Sequence, residues 1–154
     1  MKLRNYLILF FLISMIGACG SNGGDTDDSQ VDPTGAWSVS YNRILDECEL
    51  LPAGSTGFDD DETIIADGTT VTLNSAELPL EEYFGDFRSR DSFTASNEVS
   101  GDLFGVGMNC VLSEGVSFNN IDSTSASTVY EVKIVCDDGS RCDSLLRGTA
   151  TKLQ

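Results

Sequence analysis

Five cysteines and an acidic run are the residues of this 154-residue chain whose types and spacing could do chemistry. Cys48, Cys110, Cys136 and Cys142 are separated by 61, 25 and 5 residues, unlike the close C-x2-C pairs of structural zinc sites. If the chain is exported, an even count in an oxidising compartment reads as two disulfides. A reversal about Gly139 in Cys136-Asp-Asp-Gly-Ser-Arg-Cys142 would bring those two cysteines together, which favours Cys136–Cys142 with Cys48–Cys110. Pairings of Cys48 with one of the late cysteines remain open. The run Asp59-Asp60-Asp61-Glu62 is dense enough to suggest Ca2+, but it lacks the alternate ligands, sixth-position Gly and twelfth-position Glu of an EF-hand loop. It is expected to be a solvated loop beside the Ile64–Ile65 strand, and no metal or cofactor site is expected. The chain contains no histidine, which removes Ser-His-Asp and Cys-His nucleophiles and the commonest general base. It also has no Gly-x-x-x-x-Gly-Lys loop and no Gly-x-Ser-x-Gly elbow. A non-enzyme is expected, with no catalytic residue.

The fifth cysteine stands in a different context. Lys2 and Arg4 precede a largely apolar run from Tyr6 to Ile16, followed by Gly17-Ala18-Cys19. The run is too short for a bilayer core that needs about 20 helical residues, and the small pair has the form of a leader-peptide cleavage site. Ile16-Gly17-Ala18-Cys19 resembles the lipobox of bacterial lipoproteins. That resemblance implies cleavage after Ala18 and acylation at Cys19, giving a lipid-anchored protein of the cell envelope. Gly20, rather than Asp, after the cysteine implies the outer membrane. Two or three acyl chains hold a protein to a bilayer durably, at about 0.8 kcal/mol per buried methylene.

Three segments follow: a leader at 1–18, a lipidated cysteine and unstructured acidic tether at 19–32, and one domain at 33–154. Gly20 to Asp32 has one Val and no aromatic residue, so it has no face to bury. Removing Lys2 and Arg4 with the leader leaves seven cations against 25 acids, a formal charge of −18. The seven are scattered, which argues against nucleic-acid binding.

From Pro33 onward the pattern has period two, with frequent turn residues. Gly35 to Tyr41 places Trp37, Val39 and Tyr41 on one face and Ser38 and Ser40 on the other. Thr63–Ala66 and Thr69–Leu73 flank Asp67-Gly68, a hairpin signal. Further strands are expected at 85–90, 92–96, 98–104, 108–112, 116–118, 129–136 and 145–153, with a short helical turn around Ala76–Tyr83. The strand at 129–136 should turn Tyr130, Val132, Ile134 and Cys136 inward. The expected fold is all-β, a small antiparallel barrel or sandwich of about eight strands. Pro33-Thr-Gly-Ala-Trp37-Ser-Val-Ser resembles the Gly-x-Trp opening of lipocalin-like barrels, and the resemblance implies that Trp37 closes a barrel floor.

Two functions fit these features. One is an interaction or scaffolding lipoprotein that docks on an envelope protein. The other is a lipocalin-like module for a small apolar ligand or glycan, with Tyr83, Phe84, Phe87, Phe93 and Phe104 at its mouth. A filled interior with one exposed apolar patch would favour the first, and a continuous internal cavity the second.

Overall fold

Alternation of inward and outward side chains runs through each strand and allows one sheet to close on itself. The computed structural model describes residues 29–154; the leader, Cys19 and most of the tether lie outside the described residues. The strands are β1 (Gly35–Asp46), β2 (Gly57–Asp67), β3 (Thr70–Ser75), β4 (Glu82–Ser89), β5 (Ser92–Gly101), β6 (Cys110–Asn119), β7 (Ser125–Cys136) and β8 (Arg141–Lys152). Each pairs antiparallel with its neighbours in sequence, and β8 returns to β1, so the barrel has no free edge. An eight-stranded barrel has an interior just wide enough for side chains to fill.

The two ends are built differently. Short turns close one end, which also carries both described termini. Trp37, Phe93 and Phe118 fill this floor: Phe93 stacks on Phe118 with centroids 5.0 Å apart, and Trp37 meets Phe118 edge-on at 5.7 Å. The Trp37 indole N–H donates to the carbonyl of Pro33 at 2.8 Å. Packing reaches back into the expected tether, where the Val31 amide donates to the Arg90 carbonyl at 2.8 Å. The floor hairpin turns on Gly68-Thr69, because Asp67 already pairs with Thr70. Gly68 takes φ +60°, a value that glycine reaches without steric cost. The other end carries the long β1–β2, β3–β4 and β5–β6 connections and both disulfides.

Three sequence expectations are corrected. The acidic run belongs to β2, not to a loop: Asp60, Glu62 and Ile64 are two residues apart and all face inward, while Asp59, Asp61 and Thr63 face out. The helical turn at Ala76–Tyr83 is absent, and the segment is a bent connection leading into β4. The disulfides are Cys48–Cys142 and Cys110–Cys136, not the favoured pairing. Within the β7–β8 hairpin Cys142 lies opposite Ile134, two positions from Cys136. Cys136 instead lies opposite Cys110 of β6, with Cα atoms 4.0 Å apart. Barrel closure pairs Asp46 with Ser144, so Cys48, two residues after Asp46, meets Cys142, two residues before Ser144.

Candidate functional site

The half of the barrel beneath the long connections is lined by acids and tyrosines. β1 contributes Tyr41, β2 Asp60 and Glu62, β4 Tyr83, β6 Glu114, β7 Thr128 and Tyr130, and β8 Ser144, all buried. Glu62 is 0% exposed and Glu114 2%. The Tyr41 hydroxyl donates to Glu62 Oε1 at 2.8 Å, and the Tyr83 hydroxyl donates to Glu114 Oε2. The Tyr41 and Tyr130 rings lie 5.9 Å apart. Gly148 permits this crowding: a Cβ there would stand 2.5 Å from the Ser40 carbonyl oxygen and 2.6 Å from Thr128 Oγ1.

Carboxylates also fasten the connections that cover this end. Asp60 accepts the amides of Ala76 and Glu77 at 3.2 and 3.1 Å and the Ser75 hydroxyl at 2.7 Å. Leu80 donates its amide to Glu114 at 3.3 Å. These bonds set the β3–β4 connection, which buries Leu78 over the mouth. Asp46, at the end of β1, accepts the amides of Leu50 and Leu51 at 2.8 and 3.1 Å and the Ser144 hydroxyl at 3.0 Å. That set places Leu51 over the mouth from the other side.

The electrostatic consequences differ by depth. Burial opposes ionisation of Asp46, but the Leu50 and Leu51 amides and the Ser144 hydroxyl outweigh it and hold the carboxyl below its usual range. At Glu62 burial dominates over the Tyr41 hydrogen bond, and Asp60 adds repulsion, so its pKa is pushed up to about 8. Burial raises Glu114 as well, against the bonds from Tyr83 and Leu80. The tyrosines are raised first by burial, which with the nearby carboxylates keeps their hydroxyls protonated as donors.

A separate apolar feature projects from the same end. In the β5–β6 connection Phe104 is 56% exposed and Val106 68%, with Leu103 beside them. The Asp102 carboxylate accepts the amides of Val106 and Gly107 at 2.9 and 2.8 Å, which holds this projection in shape. Phe104 and Met108 border a groove of about 320 Å³ that includes Cys48, Cys136 and Cys142.

The expected mouth aromatics do not come together. Phe93 belongs to the floor and Phe87 packs beside it with centroids 6.0 Å apart. Phe84 stands on the outer wall, Tyr83 points inside, and Phe104 is on the projection. Sequence reasoning found Tyr41 and Tyr130 as inward residues but missed the inward carboxylates. Leu112, Glu114, Val116 and Phe118 share one face of β6 by simple alternation, as Glu62 and Ile64 do in β2, and that signal was available. Among the described residues no group of three or more Cys, Asp or Glu is arranged to hold a metal ion.

The fold and site thus define an eight-stranded meander barrel with an aromatic floor and a lidded acid–tyrosine end. No protein-family model, curated protein or solved structure matches the chain.

Proposed function

We propose that the protein is a lipid-anchored, non-enzymatic interaction module of the bacterial envelope, most consistent with the outer membrane, which docks on a protein partner through its open end. The observation that carries this reading is the projection bearing Phe104 and Val106, preset by Asp102 and located at the end of the barrel opposite the point where the chain enters. Because the chain enters at the floor, the projection lies on the side of the barrel opposite the tether's attachment point. Exposed aromatic and aliphatic side chains on a rigid loop are suited to filling a pocket on another protein. Glu47, Glu49 and Arg141 border the groove beside Phe104, and Asp102 lies in the same connection, so the surroundings are acidic on balance and the complementary surface is an apolar pocket with a mainly basic rim. The alternative, a small apolar ligand or a glycan in the interior, has less support: Trp37, Phe93 and Phe118 occupy the apolar half of the barrel.

A photo-crosslinking residue replacing Phe104 in intact cells should give one discrete adduct that Val106→Asp abolishes. The same residue replacing Phe84, which is also 56% exposed but lies on the outer wall, should give none. Equal adducts at both positions, or none at Phe104, would remove the docking reading. Cys19→Ser should independently abolish labelling by a palmitate analogue, since a hydroxyl cannot replace the acylated thiol; undiminished labelling would remove the anchor.

A further inference from the structure

The acid–tyrosine end of the barrel has hydrogen-bonding capacity that the protein does not use. Glu62 Oε2, Glu114 Oε1, Thr128 Oγ1 and the Tyr130 hydroxyl are buried without a well-formed hydrogen bond, although Tyr130 lies against Glu114 and Tyr83, and Thr128 lies against Tyr41. Most buried polar groups in folded proteins are paired, and a buried carboxylate oxygen left alone is among the costliest exceptions. Once the two glutamates ionise, their unmet need is for donors and positive charge. Every described Lys and Arg lies outside the core, and the tyrosine hydroxyls that do donate, from Tyr41 and Tyr83, are already bonded to the other oxygen of each glutamate.

Access and shape narrow the ligand. A cleft of about 290 Å³ opens between the two lid connections, lined by Leu50, Leu51, Pro52, Phe58, Leu78 and Pro79 together with Glu77 and Tyr130. Tyr130 is in ring contact with Tyr41, which bonds Glu62, and lies within electrostatic reach of Glu114. A molecule entering here meets a mostly apolar wall that also carries Glu77, and it reaches the buried acceptors through Tyr130, the one of them that lines the cleft. The arrangement suits a cationic head on an apolar body. Only two carboxylates have unused oxygens, too few oxygen ligands for Ca2+, which takes six to eight.

We infer that the barrel's open end is a binding site for a small organic cation, an ammonium or amidinium group carried on a compact apolar body, with Glu62 and Glu114 as its charge partners and Tyr130 and Thr128 as further acceptors. The site is independent of the docking projection, which lies on a different connection. Binding requires the glutamates ionised, whereas burial favours their protonated forms, so the cation must displace a proton. The groups facing Glu62 are Tyr41 from β1, Asp60 beside it on β2 and Tyr83 from β4, and those facing Glu114 are Tyr83, Tyr130 from β7 and the Leu80 amide. Burial holds Glu62 up at about 8 and Glu114 above its usual range, so affinity should rise as pH passes through about 8.

The test uses the full-length protein in a non-ionic detergent, with calorimetry and thermal unfolding against matched pairs: benzylammonium with benzyl alcohol, n-butylammonium with n-butanol, and benzamidinium with benzamide. At least one cation should bind and raise the unfolding midpoint while its neutral partner does so at least tenfold more weakly. Glu62→Gln and Glu114→Gln, which keep size and hydrogen-bonding to tyrosine while removing charge, should each weaken that cation at least tenfold and flatten its pH dependence. Phe104→Ser, on the projection, should leave binding unchanged. Absence of preference for the cation in all three pairs would overturn the inference, as would full affinity in folded Gln variants. Ca2+ binding lost in those variants, with no organic cation bound, would overturn it in favour of a metal site.

Discussion

The floor and the open end are made from the same eight strands with the same alternation, yet they are held together by different physics. At the floor the inward positions are Trp37, Ile64, Phe93 and Phe118, and stability comes from apolar burial and ring packing. At the open end the inward positions include Asp60, Glu62, Tyr83, Glu114 and Tyr130. There, long connections have no strand partners, so carboxylates accept their amides and two disulfides fasten the strand ends. Above about pH 5, where Asp32 and Asp122 at the floor keep their charge, the floor should therefore be insensitive to pH and reduction, and the open end sensitive to both. A barrel can carry a polar, chemically responsive end because an apolar one supplies the core.

The largest effect expected from breaking this contrast is at the disulfides. Cys48–Cys142 spans 94 residues and Cys110–Cys136 spans 26, for which the chain-entropy relation gives about 4.7 and about 3.5 kcal/mol. Urea unfolding of the two double Cys→Ala variants should rank them in that order. A larger loss on removing Cys110–Cys136 would mean that the cross-strand bridge, not barrel closure, dominates.

Trp37→Ala tests the floor and should cost about 3 to 5 kcal/mol, the range for removing a buried aromatic side chain. Its cost should be the same at pH 5 and pH 8. Variation between those values would show that floor and open end are not separable.

Glu62 sharpens the contrast from the other side. Its folded pKa, about 8, lies above the usual glutamate value of 4.5, so the folded state keeps a proton that the unfolded chain has released. This contribution to stability is full below about pH 4.5 and is lost as pH rises through 8, with a slope of about 1.4 kcal/mol per pH unit for one proton. Glu62→Gln should remove most of that decline and exceed the parent in stability at pH 8. An unchanged pH profile in the variant would assign the decline elsewhere. The smallest effect should be at Ser40→Ala, one residue before Tyr41 on the outer face of β1, where a change below about 0.5 kcal/mol is expected in urea. A larger one would mean that β1 is out of phase.

Much of the barrel was legible because period-two alternation is a local signal. The inward face of β1, the β2–β3 hairpin and the inward set Tyr130, Val132, Ile134 and Cys136 all follow from it. The candidate site was less legible for a specific reason. Four consecutive acids at 59–62 suggest solvent by composition, although alternation alone would have turned Asp60 and Glu62 toward the same side as Ile64. Composition points this run toward solvent while phase turns two of its members inward, and phase prevails because pairing with β1 and β3 fixes which side chains of β2 face the interior.

The sequence by itself determined the all-β class, the approximate number of strands, the strong acidity and the absence of histidine chemistry, since each depends on residue type or on spacing within a few positions. Only the tertiary structure decided which cysteines meet, which acids are buried and where the apolar projection points. Those depend on contacts between residues far apart in sequence. Closure of β8 onto β1 brings Cys142 to Cys48, and curvature of the sheet turns Glu62 and Glu114 into one interior where water is scarce. The energy of a charged group is set by that enclosure, and no window of neighbouring residues contains it.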